Sequence, residues 1–367
     1  MYRWHLPGPH GYIEDVLRAL RDGFNVVCAV PAHGVSGLGE ALKSRLLSDG
    51  WALGGHFRPD DSNPMSQLYN WLDIADVGQT RRSITSIIQG MVPAAAVIVD
   101  GIQLQSWKDW KQLITAYEAT SRNVPRSDRP LLIAVVEGVP EIDLGRNLAA
   151  LKNLPWQNVV GEFDVMLYAL EQIRSAGRRS NKSRLAARIV ARLALWDFDL
   201  ANQLVAMNES QLFEPLDCLR IATQHLVVPD SFSACWESGG MMQFDGVSLV
   251  HPYLLLSDVA KAGTLRRRLW EALASDLLPV IETKRHDWAQ EMRTLIRVPV
   301  QLGDQVFNDV DELEIGQLAF LAKQRNLSSR IRQGTEKLRR YRNKLAHIEP
   351  LSYAEAFDTD LRTYSWN

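Results

Sequence analysis

The N-terminal part of the chain alternates short apolar runs with amphipathic segments. Near-continuous apolar runs occupy residues 25–30, 94–100 and 131–137, and a weaker one occupies 51–57. Strands covered by helices on both faces have this continuous apolar character, and the intervals between the runs show helical spacing of apolar residues. The pattern predicts an α/β domain over residues 1–170. Its sheet should be mostly parallel and doubly wound, with the three longer apolar runs as central strands.

Helical spacing dominates the rest of the chain. From about residue 165, successive segments place apolar residues three and four positions apart, with a looser stretch over 227–257. The pattern predicts an all-α, lid-like middle region over 171–260 and a helical C-terminal domain over 261–367. Both boundaries rest on the change of period, because no Pro- or Ser-rich linker marks either of them.

The composition indicates which partners and which compartment the protein can have. The chain has 41 Lys and Arg against 43 Asp and Glu, a formal net charge of -2, so no overall attraction to nucleic acid or anionic membrane is expected. Cys28, Cys218 and Cys235 are widely spaced, which suits a reducing compartment and shows no metal-ligand pairing. The N-terminus lacks the apolar run of a signal peptide, and no apolar run has the length of a membrane span. We therefore expect a cytoplasmic protein with no metal ion and no cofactor.

A glycine-rich loop follows the first predicted strand. The strand ends at Val30, Gly34, Gly37 and Gly39 follow, and helical spacing begins directly afterwards. Strand, glycine-rich loop and helix in that order is the layout of a phosphate-binding P-loop. A working loop continues with a Lys that neutralises phosphate and a Ser or Thr that binds Mg²⁺. Here those two positions hold Glu40 and Ala41, which supply neither function.

An acidic residue ends the second apolar run. Asp100 follows four apolar residues, as the Mg²⁺-binding acid of a Walker B motif does, but the next residue is Gly101 where many ATPases carry a catalytic Glu. Together these segments resemble an AAA+ or STAND-type P-loop ATPase module over about residues 1–240. The resemblance implies a nucleotide-binding loop and a Walker B acid. It would assign those roles to the following residues: Gly34, Gly37, Gly39 and Asp100.

Because Glu40 and Ala41 differ from the residues of a working P-loop, other interpretations of the glycine-rich loop remain open. Many α/β folds place glycine in a strand-to-helix loop only because the turn needs positive φ. The free N–H groups of the following helix could still hold a phosphate or a carboxylate. Glu40 near that helix start could instead satisfy the helix dipole itself. In each case, hydrolysis is not expected.

The C-terminal region carries a second motif. Leu338, Tyr341, Leu345 and Ile348 form an apolar stripe at helical spacing, and Arg342, Asn343 and His347 lie beside it. The pattern R-N-x-x-x-H resembles the R-x4-6-H motif of the HEPN superfamily of α-helical domains, over about the last hundred residues. The resemblance implies Arg342 and His347 as a ribonuclease pair, in most members within a dimer, with Asn343 in support.

Three interpretations of this motif remain. It is catalytic, since His can move the 2′-OH proton and Arg can stabilise the phosphate in the transition state. It belongs to an inactive domain that serves for dimerisation or RNA binding. Or Asn343 and His347 satisfy local polar contacts on a packed helix.

Basic residues cluster at three places. Arg184, Arg188 and Arg192 recur every four positions and form one stripe of a predicted helix. Further clusters cover 266–268 and 337–344. Such stripes contact the phosphates of RNA or DNA, or they pair with acidic side chains.

The combination of a degenerate STAND-like module and a HEPN-like domain resembles bacterial conflict systems such as anti-phage defence. Three functions follow as hypotheses. The first is a non-hydrolysing regulatory or scaffold subunit that binds other proteins of a complex, with homodimerisation through the C-terminal domain. The second is a HEPN-type ribonuclease effector. The third is a sensor that binds nucleotide without turnover.

Overall fold

The computed structural model describes residues 2–74, 82–177, 182–229, 235–257, 261 and 263–361. The chain divides into two compact units. Unit 1 comprises Met1–Tyr168, Leu195–Leu200 and Leu226–Leu254. Unit 2 comprises Ala169–Ala194, Ala201–His225 and Leu255–Asn367.

Unit 1 is built on a five-stranded sheet in which every pairing is parallel. Its strands are β1 (Asn25–Val30), β2 (Leu53–Phe57), β3 (Ala96–Gln103), β4 (Leu131–Glu137) and β5 (Leu151–Pro155). Its helices are α1 (Pro7–Arg21), α2 (Leu38–Ser48), α3 (Pro64–Trp71), α4 (Ile84–Gly90), α5 (Leu104–Ser121) and α6 (Glu141–Leu144), and α7 (Glu162–Ser175) begins in it. The predicted fold class, an α/β half followed by a mostly helical half, is confirmed.

The strand order is β2-β3-β4-β1-β5, so the three predicted apolar strands take the three central positions. Side chains alternate between the two faces of each strand. Val27 and Val97 belong to one core cluster with Trp110 of α5, whereas Cys28 contacts Tyr12 of α1 on the opposite face. Burial on both faces explains why these strands are apolar throughout.

Strand order also determines which residues can meet. The carboxyl ends of parallel strands share one edge of a sheet, and loops at that edge form ligand sites in α/β folds. The loop after β1 and the acidic end of β3 both lie at this edge, and β4 separates their strands. Side chains from α2 and β2 can therefore reach the end of β3.

Unit 2 is mostly helical. Its helices are α8 (Ser183–Ala194), α10 (Pro215–Thr223), α12 (Gly263–Met292), α13 (Ile315–Gln324), α14 (Ser329–Ala346) and α15 (Tyr353–Ala356), while α9 (Phe198–Ala206) and α11 (Pro252–Leu256) contain unit boundaries. The long helix α12 packs against α8 and α14, and α14 packs against α13. Leu338, Tyr341 and Leu345 are buried, as the apolar stripe predicts. Ile348 is exposed because the helix has already ended.

Two short hairpins also occur, β6 and β7 (Met241–Phe244, Val247–Val250) in unit 1 and β8 and β9 (Val300–Leu302, Gln305–Phe307) in unit 2. Sequence analysis did not predict them, because four or fewer residues per strand leave little periodicity. The first has Asp245-Gly246 at its turn with both φ values positive, which is the preferred chemistry of a two-residue hairpin turn. Within the described residues, every helix is too short or too polar to cross a membrane.

Candidate functional site

The glycine-rich loop of unit 1 needs its glycines for two different reasons. Gly34 and Gly37 have φ of +86° and +76°, in the left-handed region that glycine adopts without strain. Gly37 is the N-cap of α2 and provides no side-chain cap for the helix. Gly39 lies inside the helix, where a Cβ would overlap the carboxylate of Asp100. Glycine at position 39 therefore allows α2 to lie directly against the end of β3.

Glu40 of α2 and Asp100 of β3 are joined through a histidine. Asp100 is buried, and its Oδ2 accepts a hydrogen bond from Nε2 of His56 on β2, at 3.2 Å. The other ring nitrogen of His56, Nδ1, lies 3.2 Å from Oε1 of Glu40. The result is a carboxylate–imidazole–carboxylate bridge that links α2, β2 and β3; we call it the Glu40–His56–Asp100 bridge.

The two halves of this bridge differ in strength. The side chains of His56 and Asp100 are only 8% and 7% exposed, so removing either one leaves the other without its buried partner. The Glu40 side chain is 61% exposed and also lies 3.6 Å from Lys43, so its contact with His56 contributes little. The stabilisation resides mainly between His56 and Asp100.

Contacts from outside the loop hold its backbone. The guanidinium of Arg3 donates to both the carbonyl and the hydroxyl of Ser36, at 2.7 and 2.6 Å, and also pairs with Asp199 at 3.2 Å. The N–H of Ala32 donates to the carbonyl of Glu237 at 2.7 Å. Three segments that are distant in sequence, around Arg3, Asp199 and Glu237, thus hold the loop in place.

A buried polar pair lies beneath Gly34. Trp196 and Asp197 are its nearest neighbours, and Oδ2 of Asp197 accepts a hydrogen bond from His251 at 3.2 Å. Burial acts to raise the pKa of Asp197, but the hydrogen bond from His251 and two backbone N–H donors outweigh it and lower that pKa. Asp197 stays ionised and anchors the start of α9, where the N–H groups of Asp199 and Leu200 bind its side chain.

The loop has one feature that favours phosphate and lacks others that phosphate binding needs. The uncapped N-terminus of α2 has N–H groups that favour an anion. Glu40, however, places a carboxylate where a phosphate would need a cation, and Ala41 has no hydroxyl for Mg²⁺. Gly101 has φ of +90° and offers no side chain to activate water. Among the described residues, no group of three or more His, Cys, Asp or Glu has an arrangement that could hold a metal ion.

A cleft of about 480 Å³ opens beside the start of α2. Arg3, Trp4 and His10 line one side, and Glu40 and Ser44 line the other. A ligand that approached the first turn of α2 through this cleft would meet the Glu40 carboxylate.

The C-terminal motif spans the end of α14. Arg342 lies just before its last turn, half-buried and 3.6 Å from Glu314, the N-cap residue of α13. The backbone carbonyl of Asn343 accepts a hydrogen bond from the N–H of His347, which is the C-cap residue. The imidazole of His347 is exposed. Within the described residues, no hydrogen bond joins Arg342 to His347.

The basic stripe of α8 faces acidic side chains of α12. Nε of Arg188 lies 2.9 Å from Asp276, and Arg184 lies 3.7 Å from the same carboxylate. Arg192 lies 3.5 Å from Glu271. Burial raises the pKa of Asp276, and the two arginines oppose that shift. These arginines act as partners within unit 2, which is the second of the two roles that the stripe allowed.

The sequence did not single out His56, Arg3 or Trp196. The sequence pattern could have identified His56, because a histidine near the carboxyl end of a short strand lies at the same sheet edge as Asp100. No sequence pattern identifies Arg3 or Trp196, because each contacts the loop from a distant part of the chain. No protein-family model and no curated protein matches this chain.

Proposed function

We propose that this chain is a non-hydrolysing regulatory or scaffold subunit of a multiprotein complex. It would be a pseudo-ATPase, in which a P-loop-like module has kept its shape and exchanged nucleotide chemistry for internal contacts. The resemblance to AAA+ and STAND modules suggests a bacterial complex, such as one of anti-phage defence.

The Glu40–His56–Asp100 bridge carries this proposal. In a working module, Mg²⁺ and the phosphates link the loop helix to the Walker B acid. Here a protein side chain makes that link, with His56 bound to Asp100 and in contact with Glu40. A bridge made of the chain's own side chains would take the place of nucleotide in ordering the module. The chain can then present a fixed surface to its partners.

Purified full-length chain should hydrolyse neither ATP nor GTP above a buffer blank in the presence of Mg²⁺. Mg-ATP should also leave its thermal midpoint unchanged, because a ligand that binds only the folded state would raise it. Turnover in the wild type that disappears in Asp100→Ala would overturn the pseudo-ATPase assignment. A thermal shift without turnover would favour the nucleotide-sensor hypothesis instead.

The scaffold role needs its own test. The tagged chain, expressed at its natural level, should purify with other proteins at fixed stoichiometry, and cross-linking should map contacts onto its surface. Adding or withholding Mg-ATP should not change that composition. A chain that purifies alone under these conditions would contradict the scaffold role and leave the missing ATPase activity unaffected.

One observation favours a second function, a HEPN-type ribonuclease. His347 is exposed at the end of α14, and its imidazole has no hydrogen-bond partner among the described residues, so it is available to an external substrate. If the domain is a nuclease, the wild type should cleave single-stranded RNA. Arg342→Ala and His347→Ala should then each abolish cleavage without changing the thermal midpoint. Absence of cleavage in the wild type would leave the scaffold role as the better assignment.

A further inference from the structure

A groove of about 710 Å³ runs between α13 and α14 in unit 2. Its residues on α13 are Gly316, Ala319, Phe320 and Lys323, and those on α14 include Arg332 and Arg339. We call it the α13–α14 groove. Gly316 and Ala319 contribute small residues to the lining, which we call its floor, and this part of the groove offers no large apolar side chain.

An aromatic ring stands at the edge of this floor. Phe320 is 54% exposed, although its neighbours Ala319 and Leu321 on α13 are buried in the unit. Gly316 lies one helical turn before it, and the stem of Arg339 passes 4.0 Å from the position that a Cβ of Gly316 would take. The ring is therefore accessible to a ligand, in a groove that Arg339 also lines.

The charge of the groove is positive. Lys323 and Arg332 are exposed, and neither has an ion-pair partner among the described residues. Arg339 pairs with Glu336, the acidic residue in the lining. Three cations against one carboxylate leave two positive charges uncompensated. This contrasts with α8, whose arginines are paired with acids of α12.

We propose that the α13–α14 groove binds single-stranded nucleic acid. Sites of this kind combine a positive groove for the phosphates with an aromatic ring on which a base stacks. Guanidinium planes add stacking and cation–π contacts, and Arg332 and Arg339 both supply one. A helix of ten residues is about 15 Å long, so the groove accommodates a short stretch of strand.

The same features disfavour other occupants. Bases of a duplex are stacked on one another and cannot reach a side chain such as Phe320. An acidic amphipathic helix docks its apolar anchors into a hydrophobic groove, and a floor of glycine and alanine offers few contacts to them.

Arg342 and His347 are absent from the lining, so this site is separate from the C-terminal motif. The proposal also holds whether or not unit 1 binds nucleotide.

The test uses the full-length chain and fluorescent oligouridine, oligothymidine and a matched duplex, with binding read as anisotropy. Both single strands should bind, and the duplex should bind at least tenfold more weakly. Two uncompensated cations predict a salt slope of about -1.4, or about a sevenfold loss between roughly 50 and 200 mM salt. Tighter binding of oligouridine than of oligothymidine would identify RNA as the ligand.

Variants identify the groove as the site. Phe320→Ala should weaken binding about tenfold by removing the stacking platform. Phe320→Trp should restore it. The double variant Lys323→Ala/Arg332→Ala should weaken binding and flatten the salt slope. Arg340→Ala is the matched control, because it removes an arginine of α14 that lies outside the groove and pairs with Glu355. It should bind like the wild type.

Two results would overturn the proposal. One is a wild-type chain that binds neither single strand at low salt, including the case in which it binds an acidic peptide instead. The other is single-strand binding that Phe320→Ala and Lys323→Ala/Arg332→Ala leave unchanged. Each altered residue is exposed, so circular dichroism should give the same fold for all variants.

Discussion

Oε1 of Glu40 lies 3.2 Å from Nδ1 of His56. In a working P-loop, the residue at position 40 would be a lysine directed at phosphate. Here it is a carboxylate directed at a side chain of the same unit, on the ring that binds Asp100. A carboxylate at this position therefore has a partner within unit 1.

His56→Ala should lower the free energy of unfolding by about 1–3 kcal/mol, because it leaves the buried carboxylate of Asp100 without its hydrogen-bond donor. Urea unfolding of the full chain measures the change. His10→Ala, which removes an exposed histidine of the same unit, should be neutral. If His56→Ala is equally neutral, the bridge is not structural.

Gly39→Ala tests whether close packing or helix propensity has the larger effect on stability at position 39. Alanine favours a helix over glycine by about 1 kcal/mol, so the substitution should stabilise α2 if nothing opposed it. A Cβ at position 39 would instead overlap Asp100, and we expect a net loss of about 1–3 kcal/mol. The double variant Gly39→Ala/Asp100→Ala should lose less than the sum of the single variants. Additive losses, or a stabilised Gly39→Ala, would contradict the observed contact.

Asp197 should make the chain sensitive to acid. Its folded-state pKa lies below the unfolded-state value, so its stabilisation is present above the unfolded pKa and is lost as the pH falls through the folded one. The loss is expected below about pH 4. Asp197→Asn keeps an N-cap side chain and removes the charge; it should cost about 1–2 kcal/mol at neutral pH. Its thermal midpoint should also fall less steeply in acid than that of the wild type.

Asp61→Asn is the control for that experiment, because Asp61 is an exposed aspartate of the same unit. Its thermal midpoint should follow the wild-type curve at every pH. A curve for Asp197→Asn that also coincides with the wild type would show that the pair with His251 contributes nothing to stability.

Two substitutions at the end of α14 distinguish a role in packing from a role at the surface. Leu345 is fully buried, and its carbonyl accepts a hydrogen bond from the indole of Trp270 at 2.7 Å. Leu345→Asp places a charge in that core and should prevent stable folding of unit 2 or of an assembly that depends on it. His347→Ala, at an exposed position of the same chain segment, should leave the thermal midpoint unchanged. A large loss in His347→Ala would indicate a packed histidine and remove the nuclease candidate.

The sequence by itself determined that unit 1 is an α/β fold with three central apolar strands. Val27, Ile98 and Ile133 lie in continuous apolar runs, and only strands covered on both faces need such runs. It also located the loop, because the positive φ values at Gly34 and Gly37 require glycine. Local rules of spacing and backbone conformation suffice for both inferences.

Only the tertiary structure decided which side chains meet. His56 lies 16 residues from Glu40 and 44 from Asp100, and no periodicity relates the three. The strand order brings them to one edge of the sheet. Packing likewise decided that Arg188 faces Asp276, whereas Lys323 and Arg332 face solvent. A sequence shows where charges occur along the chain, but their partners depend on long-range packing, which sets the distances between groups and their access to water.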